Sequence, residues 1–224
     1  MSDHPVNIEC ATPDEIAEAA RIISGAGLVE AFGHVSSRSA DGFLITATRP
    51  LGAAGADEIY SVDPEGNPLA DAPDLPLETP MHAAIYAARP DVGAICRTHS
   101  PAAVRAGARG EIPPLVHGLG GLAGSVSFCS RTDLVTDLEA GHELAVALDD
   151  GDCVLVRGNG SLATGPSLAH AVVRARYLEE RCLIGEESDS ADGWRAVELD
   201  PRSRWFEKET ARAWAWMRWR YARS

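Results

Sequence analysis

Glu78, His82, Arg97 and His99 bring a carboxylate, two imidazoles and a permanent cation into one short stretch of a 224-residue chain. A carboxylate beside imidazoles can do general acid–base work or hold a divalent metal. A guanidinium has no lone pair to offer a metal, but it stabilises a carboxylate or a developing oxyanion. His34 and Ser36, in Gly33-His34-Val35-Ser36-Ser37-Arg38, read as pocket residues that transfer a proton or hydrogen-bond a substrate. The same run also reads as a glycine turn with capping serines. Arg49 offers a fork that fits a substrate carboxylate, or is a solvated arginine. Glu78 reads as an acid/base group, or as a first-turn residue favouring a helix N-terminus.

These groups need elements to hold them. Thr12-Pro13-Asp14-Glu15 is a capping box with proline at the first helical position, opening a helix through Ile16, Ala19, Ala20 and Ile23 that Gly25 and Gly27 end. Phe43–Thr46 reads as a short strand, and residues 52–76 as mostly loop with a strand over Glu58–Val62. Thr79-Pro80 starts a second helix, bounded by Pro90, on which His82 and Tyr86 share one face. That is the placement of hydrogen-bonded core residues as well as of ligands. Val92–His99 reads as a strand that points Arg97 and His99 to one face. Thr136-Asp137-Leu138-Glu139 reads as a capping box for a helix to Leu148, and Cys153–Arg157 as a strand. Ser167 caps a helix with an apolar stripe of Ala171, Ala175, Leu178 and Cys182. Gly185–Asp192 reads as an acidic surface loop. Trp205, Trp214, Trp216 and Trp219 make no single stripe, so some should be covered by a partner subunit.

Helices and strands interleave, which indicates an α/β or α+β sheet covered by helices. A net charge of −13 argues against nucleic-acid and acidic-membrane partners. The five cysteines are scattered and form no Cys-x-x-Cys pair, as expected of a reduced, cytoplasmic protein. Met1–Cys10 is polar and does not read as a signal peptide, and no apolar run approaches a membrane span.

The blocks Leu77-Glu78-Thr79-Pro80-Met81-His82, Ile85-Tyr86, Arg89-Pro90-Asp91-Val92 and Arg97-Thr98-His99-Ser100-Pro101 together resemble the signature of the class II aldolase/adducin superfamily. The resemblance runs roughly from Ile16 to Ile184. The Gly33-His34-Val35-Ser36 form is similar to the branch that decarboxylates hydroxylated aromatic or heteroaromatic acids. The resemblance implies a three-layer α/β/α sandwich around a largely antiparallel sheet. It implies one domain over residues 1–224, with 194–224 a Trp-rich tail, and a homotetramer with active sites at subunit interfaces. In such an assembly a C-terminal aromatic, here Tyr221, can reach a neighbour's site as a proton donor.

It also implies a divalent metal (Zn, Mn, Fe or Co), held by two histidines of a His-x-His and a third from an Asn-His-Gly motif. Arg97 stands at the first position, His99 at the second and Asn159, in Arg157-Gly158-Asn159-Gly160, at the third. His99 is the remaining metal ligand if a metal is bound, and help from His117 or His34 would need a rebuilt site. Otherwise Arg97 takes over the metal's charge, with His99 and Asn159 as hydrogen-bonding partners of the substrate. Sugar-phosphate aldolases commonly carry two phosphate-binding serines before the glutamate; Pro76 and Leu77 stand there instead. The implied function is a lyase that breaks a C–C bond, by decarboxylation or retro-aldol cleavage, in a non-phosphorylated, carboxylated small molecule. The alternatives are a metal-free enzyme turned to cyclisation or dehydration, and a non-catalytic adducin-like binding module.

Overall fold

The computed structural model describes residues 8–188 and 193–222. Helix α1 (Pro13–Gly25) starts on a reciprocal cap: the Thr12 hydroxyl accepts the Glu15 N–H, and the Glu15 carboxylate accepts the Thr12 N–H. Strands β1 (His34–Ser39), β2 (Gly42–Thr46), β3 (Ile59–Val62), β4 (Ala94–Thr98), β5 (Val126–Cys129), β6 (Cys153–Val156) and β7 (Ser161–Gly165) form one sheet. Their order is β3-β2-β1-β4-β7-β6-β5. Neighbours are antiparallel except β5 and β6, which are parallel.

Side chains alternate across the sheet and feed two cores. Val35, Cys96, Leu155 and Ala163 face α1, α3 (Pro101–Arg109) and α5 (Leu168–Glu187). Phe43, Ile95, Val154 and Leu162 face α2 (Thr79–Ala88) and α4 (Leu138–Leu148). Helix α6 (Ala196–Ser203) leads into α7 (Phe206–Tyr221), which lies over α1 and α5. The expected three-layer α/β/α sandwich is therefore observed. No helix among the described residues is long and apolar enough to cross a membrane.

Local expectations fail where polarity hides a strand or a cap shifts. The run Gly33–Arg38, read as pocket residues or a glycine turn but not as a strand, falls largely in β1, which is buried between β2 and β4 and whose polar side chains bond inside the protein. β5, β7, α3 and the helical form of the Trp-rich tail also went unread. Ala102, Ala103 and Ala106 form the buried face of α3. Helix α4 is capped by Asp137 rather than Thr136, because Asp137 is the extended residue whose side chain accepts the Ala140 N–H. At α5 the Ser167 hydroxyl bonds the His170 ring instead of a backbone N–H. The expected loop from Gly185 begins as the last turn of α5, which runs to Glu187; residues 189–192 lie outside the described residues, as does most of Met1–Cys10. In α7, Ala213 and Met217 are buried and Trp214 packs on the core, while Trp216 and Trp219 are exposed.

Candidate active site

The site forms where β1, β4 and the start of α2 meet. The register pairs His34 with Arg97 and Ser36 with Ile95, so His34, Ser36 and Arg97 share the face covered by α2. Glu78 is the residue before the first turn of α2, yet its side chain makes no capping hydrogen bond. The carboxylate sits at the helix terminus without capping it and turns toward Arg97. Arg97 is fully buried (0 % exposed), a rare position for a guanidinium. Its Nε lies 3.4 Å from Glu78 Oε2, and its Nη1 donates to the Thr98 carbonyl at 3.0 Å and the Ser161 carbonyl at 3.4 Å.

Behind this pair runs a line of buried polar groups. His34 Nε2 is 3.5 Å from Glu78 Oε2, and His34 Nδ1 is 2.7 Å from His82 Nε2. His82 Nδ1 is 2.7 Å from the Ser36 hydroxyl, which is 2.8 Å from the Tyr86 hydroxyl. On the other side His99, just past β4, bonds Asn159 Oδ1 through Nε2 at 3.2 Å.

Burial alone would favour a neutral Glu78, but the His34 N–H and the Arg97 cation together hold its carboxyl at about 2. Burial works against the Arg97 charge and Glu78 offsets it, so the pair stays ionised. Burial also lowers His34 and lowers His82 well below the ordinary imidazole range; a proton on His82 would further be repelled by one on His34 and by the Arg97 cation. His99 falls to about 4, through burial and then the Arg97 cation. Three neutral imidazoles thus surround one carboxylate–guanidinium pair.

Arg97 Nη2, Glu78 Oε1 and His99 Nδ1 are buried without a hydrogen-bond partner among the described residues. Buried polar atoms in folded proteins are nearly always satisfied, so three orphans in one cluster mark a place built for a polar ligand. A metal does not fit that donor set. Glu78 and His99 provide two donors, and the fixed cation of Arg97 stands beside both. Among the described residues no group of three or more His, Cys, Asp or Glu side chains is placed to hold an ion.

The sequence-derived candidates divide accordingly. His34, Glu78, Arg97, His99 and Asn159 come together. Ser36 belongs to the cluster but is fully buried, with its bonds taken by His82 and Tyr86, so it supports the site from beneath rather than meeting a substrate. Arg49 is solvated and pairs with Asp74 at 2.6 Å and Glu58 at 3.6 Å. His117 begins a short 3-10 turn packed on α5, where its Nδ1 accepts the Gly120 N–H. Tyr221 ends α7 on the other face of the sheet, against Trp216. None of these three joins the cluster within the chain.

Two further contributors are His82, left open in the sequence between core residue and ligand, and Gly160, left unread. His82 bridges His34 and Ser36, a contact that only the β1 register creates. Gly160, at φ +75°, leaves room for the guanidinium: a Cβ there would strike the Thr98 carbonyl oxygen and come within 3.0 Å of Arg97 Nη1.

Comparison with known proteins shows the family and the fold. The profile of the class II aldolase and adducin N-terminal domain matches residues 14–184. The 3,4-dihydroxyphthalate decarboxylase of Arthrobacter keyseri is 30 % identical over 197 residues, spanning 80 % of this chain and 79 % of that one. The 5-methylthioribulose-1-phosphate/5-deoxyribulose-1-phosphate aldolase of Rhodospirillum rubrum is 32 % identical over 182 residues, spanning 75 % and 80 %. Among solved structures, an aldolase II superfamily protein from Pseudomonas syringae superposes with a TM-score of 0.74 at 23 % identity, over 97 % of this chain and 92 % of that one. The L-fuculose 1-phosphate aldolase of Glaciozyma antarctica gives 0.73 at 19 % identity, over 92 % and 87 %.

Proposed function

The chain belongs to the class II aldolase and adducin N-terminal domain family, and from that premise we propose that it is a lyase that decarboxylates a hydroxylated aromatic acid, with Arg97 in the electrostatic role of a metal. The observation that carries this reading is the buried Arg97 Nη2, left without a partner next to the equally unpartnered Glu78 Oε1 and His99 Nδ1. Decarboxylase relatives support the reaction type. Pro76 and Leu77 support a substrate without phosphate, since neither side chain can donate a hydrogen bond.

The chemistry follows from where charge moves. Once the carbon bearing the carboxylate is protonated and the ring stands in its keto form, the bond to the carboxylate breaks and its electron pair returns through the ring to the keto oxygen. A guanidinium held in a dry pocket stabilises that oxygen without reorganising, the kind of interaction whose loss typically slows reactions ~10²–10³-fold. An anionic substrate set against Arg97 also competes for the cation that keeps Glu78 ionised, which pushes the carboxyl up toward protonation. Glu78, through Oε1, gives the carbon this proton before the C–C bond breaks: one carboxylate and one proton become one C–H bond and carbon dioxide. His99 and Asn159 hydrogen-bond the substrate's hydroxyls.

Phe32, exposed beside His99, and Leu77, exposed next to Glu78 in the chain, support closure of the site by a second copy, within a cytoplasmic homotetramer. The test is carbon dioxide release from 3,4-dihydroxyphthalate and other hydroxylated benzoic acids by protein grown with Zn²⁺, Mn²⁺, Fe²⁺ and Co²⁺, before and after chelation. Turnover that survives chelation and disappears in Glu78→Gln is expected. Turnover strictly dependent on added metal, or none with any of these acids, overturns the reading.

A further inference from the structure

We propose that Ser36, His82 and Tyr86 are positioning residues that lock His34 as the neutral ring protonated on Nε2, so that Glu78 is held by one oxygen and presents the other, Oε1, to the substrate. The tautomers follow from contacts within the chain; their bearing on turnover rests on the decarboxylase reading. The supporting side chains are buried and bonded in series: Tyr86 Oη to Ser36 Oγ at 2.8 Å, Ser36 Oγ to His82 Nδ1 at 2.7 Å, and His82 Nε2 to His34 Nδ1 at 2.7 Å. His34 Nε2 then faces Glu78 Oε2 at 3.5 Å.

The two ends of this series fix its direction independently. The Tyr86 hydroxyl has Ser36 as its one hydrogen-bond partner among the described residues, so its buried proton is satisfied only if Tyr86 donates. Ser36 has a single proton, which therefore goes to His82 Nδ1. Burial keeps both rings neutral, and a neutral ring carries one N–H. His82 accepts on Nδ1, so its proton sits on Nε2 and is given to His34 Nδ1. The His34 proton is then on Nε2. The other end requires the same answer, because an ionised Glu78 carboxylate only accepts and needs a donor opposite it. The reverse direction strands the Tyr86 proton and sets the His34 lone pair against Oε2. Phe43, stacked on His82 with 15° between the ring planes, holds the middle ring in place.

The result is felt at Glu78. Its Oε2 lies between two donors, Arg97 Nε at 3.4 Å and His34 Nε2 at 3.5 Å, while Oε1 is buried without a partner among the described residues. Two donors converging on one oxygen fix the turn of the carboxyl group about its last bond. With the His34 proton on Nδ1 instead, Arg97 alone would hold Oε2, and the group would be free to turn Oε1 away from the substrate. The lock acts at rest: no proton travels along the series, and each member keeps the proton it has in the empty site.

The first test needs no substrate: ¹⁵N NMR of histidine-labelled protein at neutral pH. Neutral rings protonated on Nε2 at both His34 and His82 are expected in the wild type and in Ser36→Thr, which keeps the hydroxyl. In Ser36→Ala the His82 acceptor loses its donor, and both rings should show mixed tautomers. Tyr86→Phe should act in the same direction and more weakly, because Ser36 still has its proton to give. A proton on Nδ1 of either wild-type ring overturns the lock, as do unchanged tautomers in folded Ser36→Ala. The second test is turnover of 3,4-dihydroxyphthalate. Ser36→Ala should lower kcat ~10-fold or more, within the ~10²-fold that a small misplacement of a reacting group can cost. KM should stay nearly unchanged, and Ser36→Thr should restore most of the rate. A rise in KM with kcat intact would mean lost binding rather than lost orientation, and overturns the positioning role. Absence of wild-type turnover with the expected tautomers present refutes the decarboxylase reading and supports the lock.

Discussion

Arg97 and Glu78 meet at the end of the sheet with Nε 3.4 Å from Oε2, the first side chain fully buried and the second 12 % exposed. The pair leaves one nitrogen and one oxygen unpartnered, so it is arranged for a third participant rather than closed on itself. A buried ion pair adds little net stability compared with an apolar replacement, whereas breaking one leaves an uncompensated charge. Stability alone is a poor reason for this pair, and binding or chemistry a better one.

Arg97→Ala should therefore damage function and folding together. Turnover is expected to fall ~10²–10³-fold, as for loss of an oxyanion-stabilising group. Stability should drop by about 3 kcal/mol, the lower end of the range for removing one partner of a buried pair. The double variant Arg97→Met with Glu78→Gln should recover most of that stability and none of the activity. Guanidinium denaturation and substrate kinetics on the same preparations check both halves. Equal stability of Arg97→Ala and wild type would mean that the pair is not buried in solution.

Acid should destabilise the protein in two overlapping stages. His99 is ordinary in the unfolded chain, at 6.5, and titrates at about 4 when folded. Between those values the unfolded state binds the proton first, so stability falls with pH. Glu78 behaves likewise between its ordinary 4.5 and about 2, and its ion pair contributes fully only above 4.5. Denaturant midpoints measured from pH 7 downward should decline throughout. Glu78→Gln should flatten the lower stage, and His99→Asn should reduce the upper, to which the buried neutral His34 and His82 also contribute.

What was legible in the sequence follows from how local each signal is. The α1 cap, the start of α2 and the Glu78–Arg97–His99 cluster were readable because each is a short motif of distinctive residue types. β1 was not, because His-Val-Ser-Ser-Arg-Ser lacks the apolar alternation of an ordinary strand; its polar groups are satisfied by α2 and β4, partners distant in sequence. β7 was masked by the glycines flanking it. Asp74 as the partner of Arg49, and the separation of His117 and Tyr221 from the cluster, depend on tertiary packing that no spacing encodes.

The glycines of the β6–β7 turn should separate backbone strain from contact. Gly158 and Gly160 both have positive φ, +61° and +75°. A Cβ on Gly158 meets nothing within 4 Å, while one on Gly160 strikes the Thr98 carbonyl. Gly158→Ala should lose about 1–2 kcal/mol, the conformational penalty alone. Gly160→Ala should lose clearly more and also lower activity, because the displaced backbone carries Arg97 Nη1 and His99 with it. Equal losses for the two would mean that the turn adapts and does not hold the guanidinium.

The sharpest prediction concerns metal. His99 Nε2 already touches Asn159, so a histidine introduced at 159 would stand beside His99. Removal of the guanidinium at 97 would take away the cation that repels a divalent ion from Glu78 and His99. Asn159→His alone should bind no metal, since Arg97 remains. Arg97→His alone should bind weakly. The double variant reaches three imidazoles with Glu78 alongside, enough for a tight zinc site, and should carry close to one metal per chain by elemental analysis. If the wild-type enzyme turns over without metal, the double variant must change its metal dependence and need not gain rate. If activity appears only in the double variant and only with metal bound, Arg97 does not replace the ion, and the natural chain is an inactive relative.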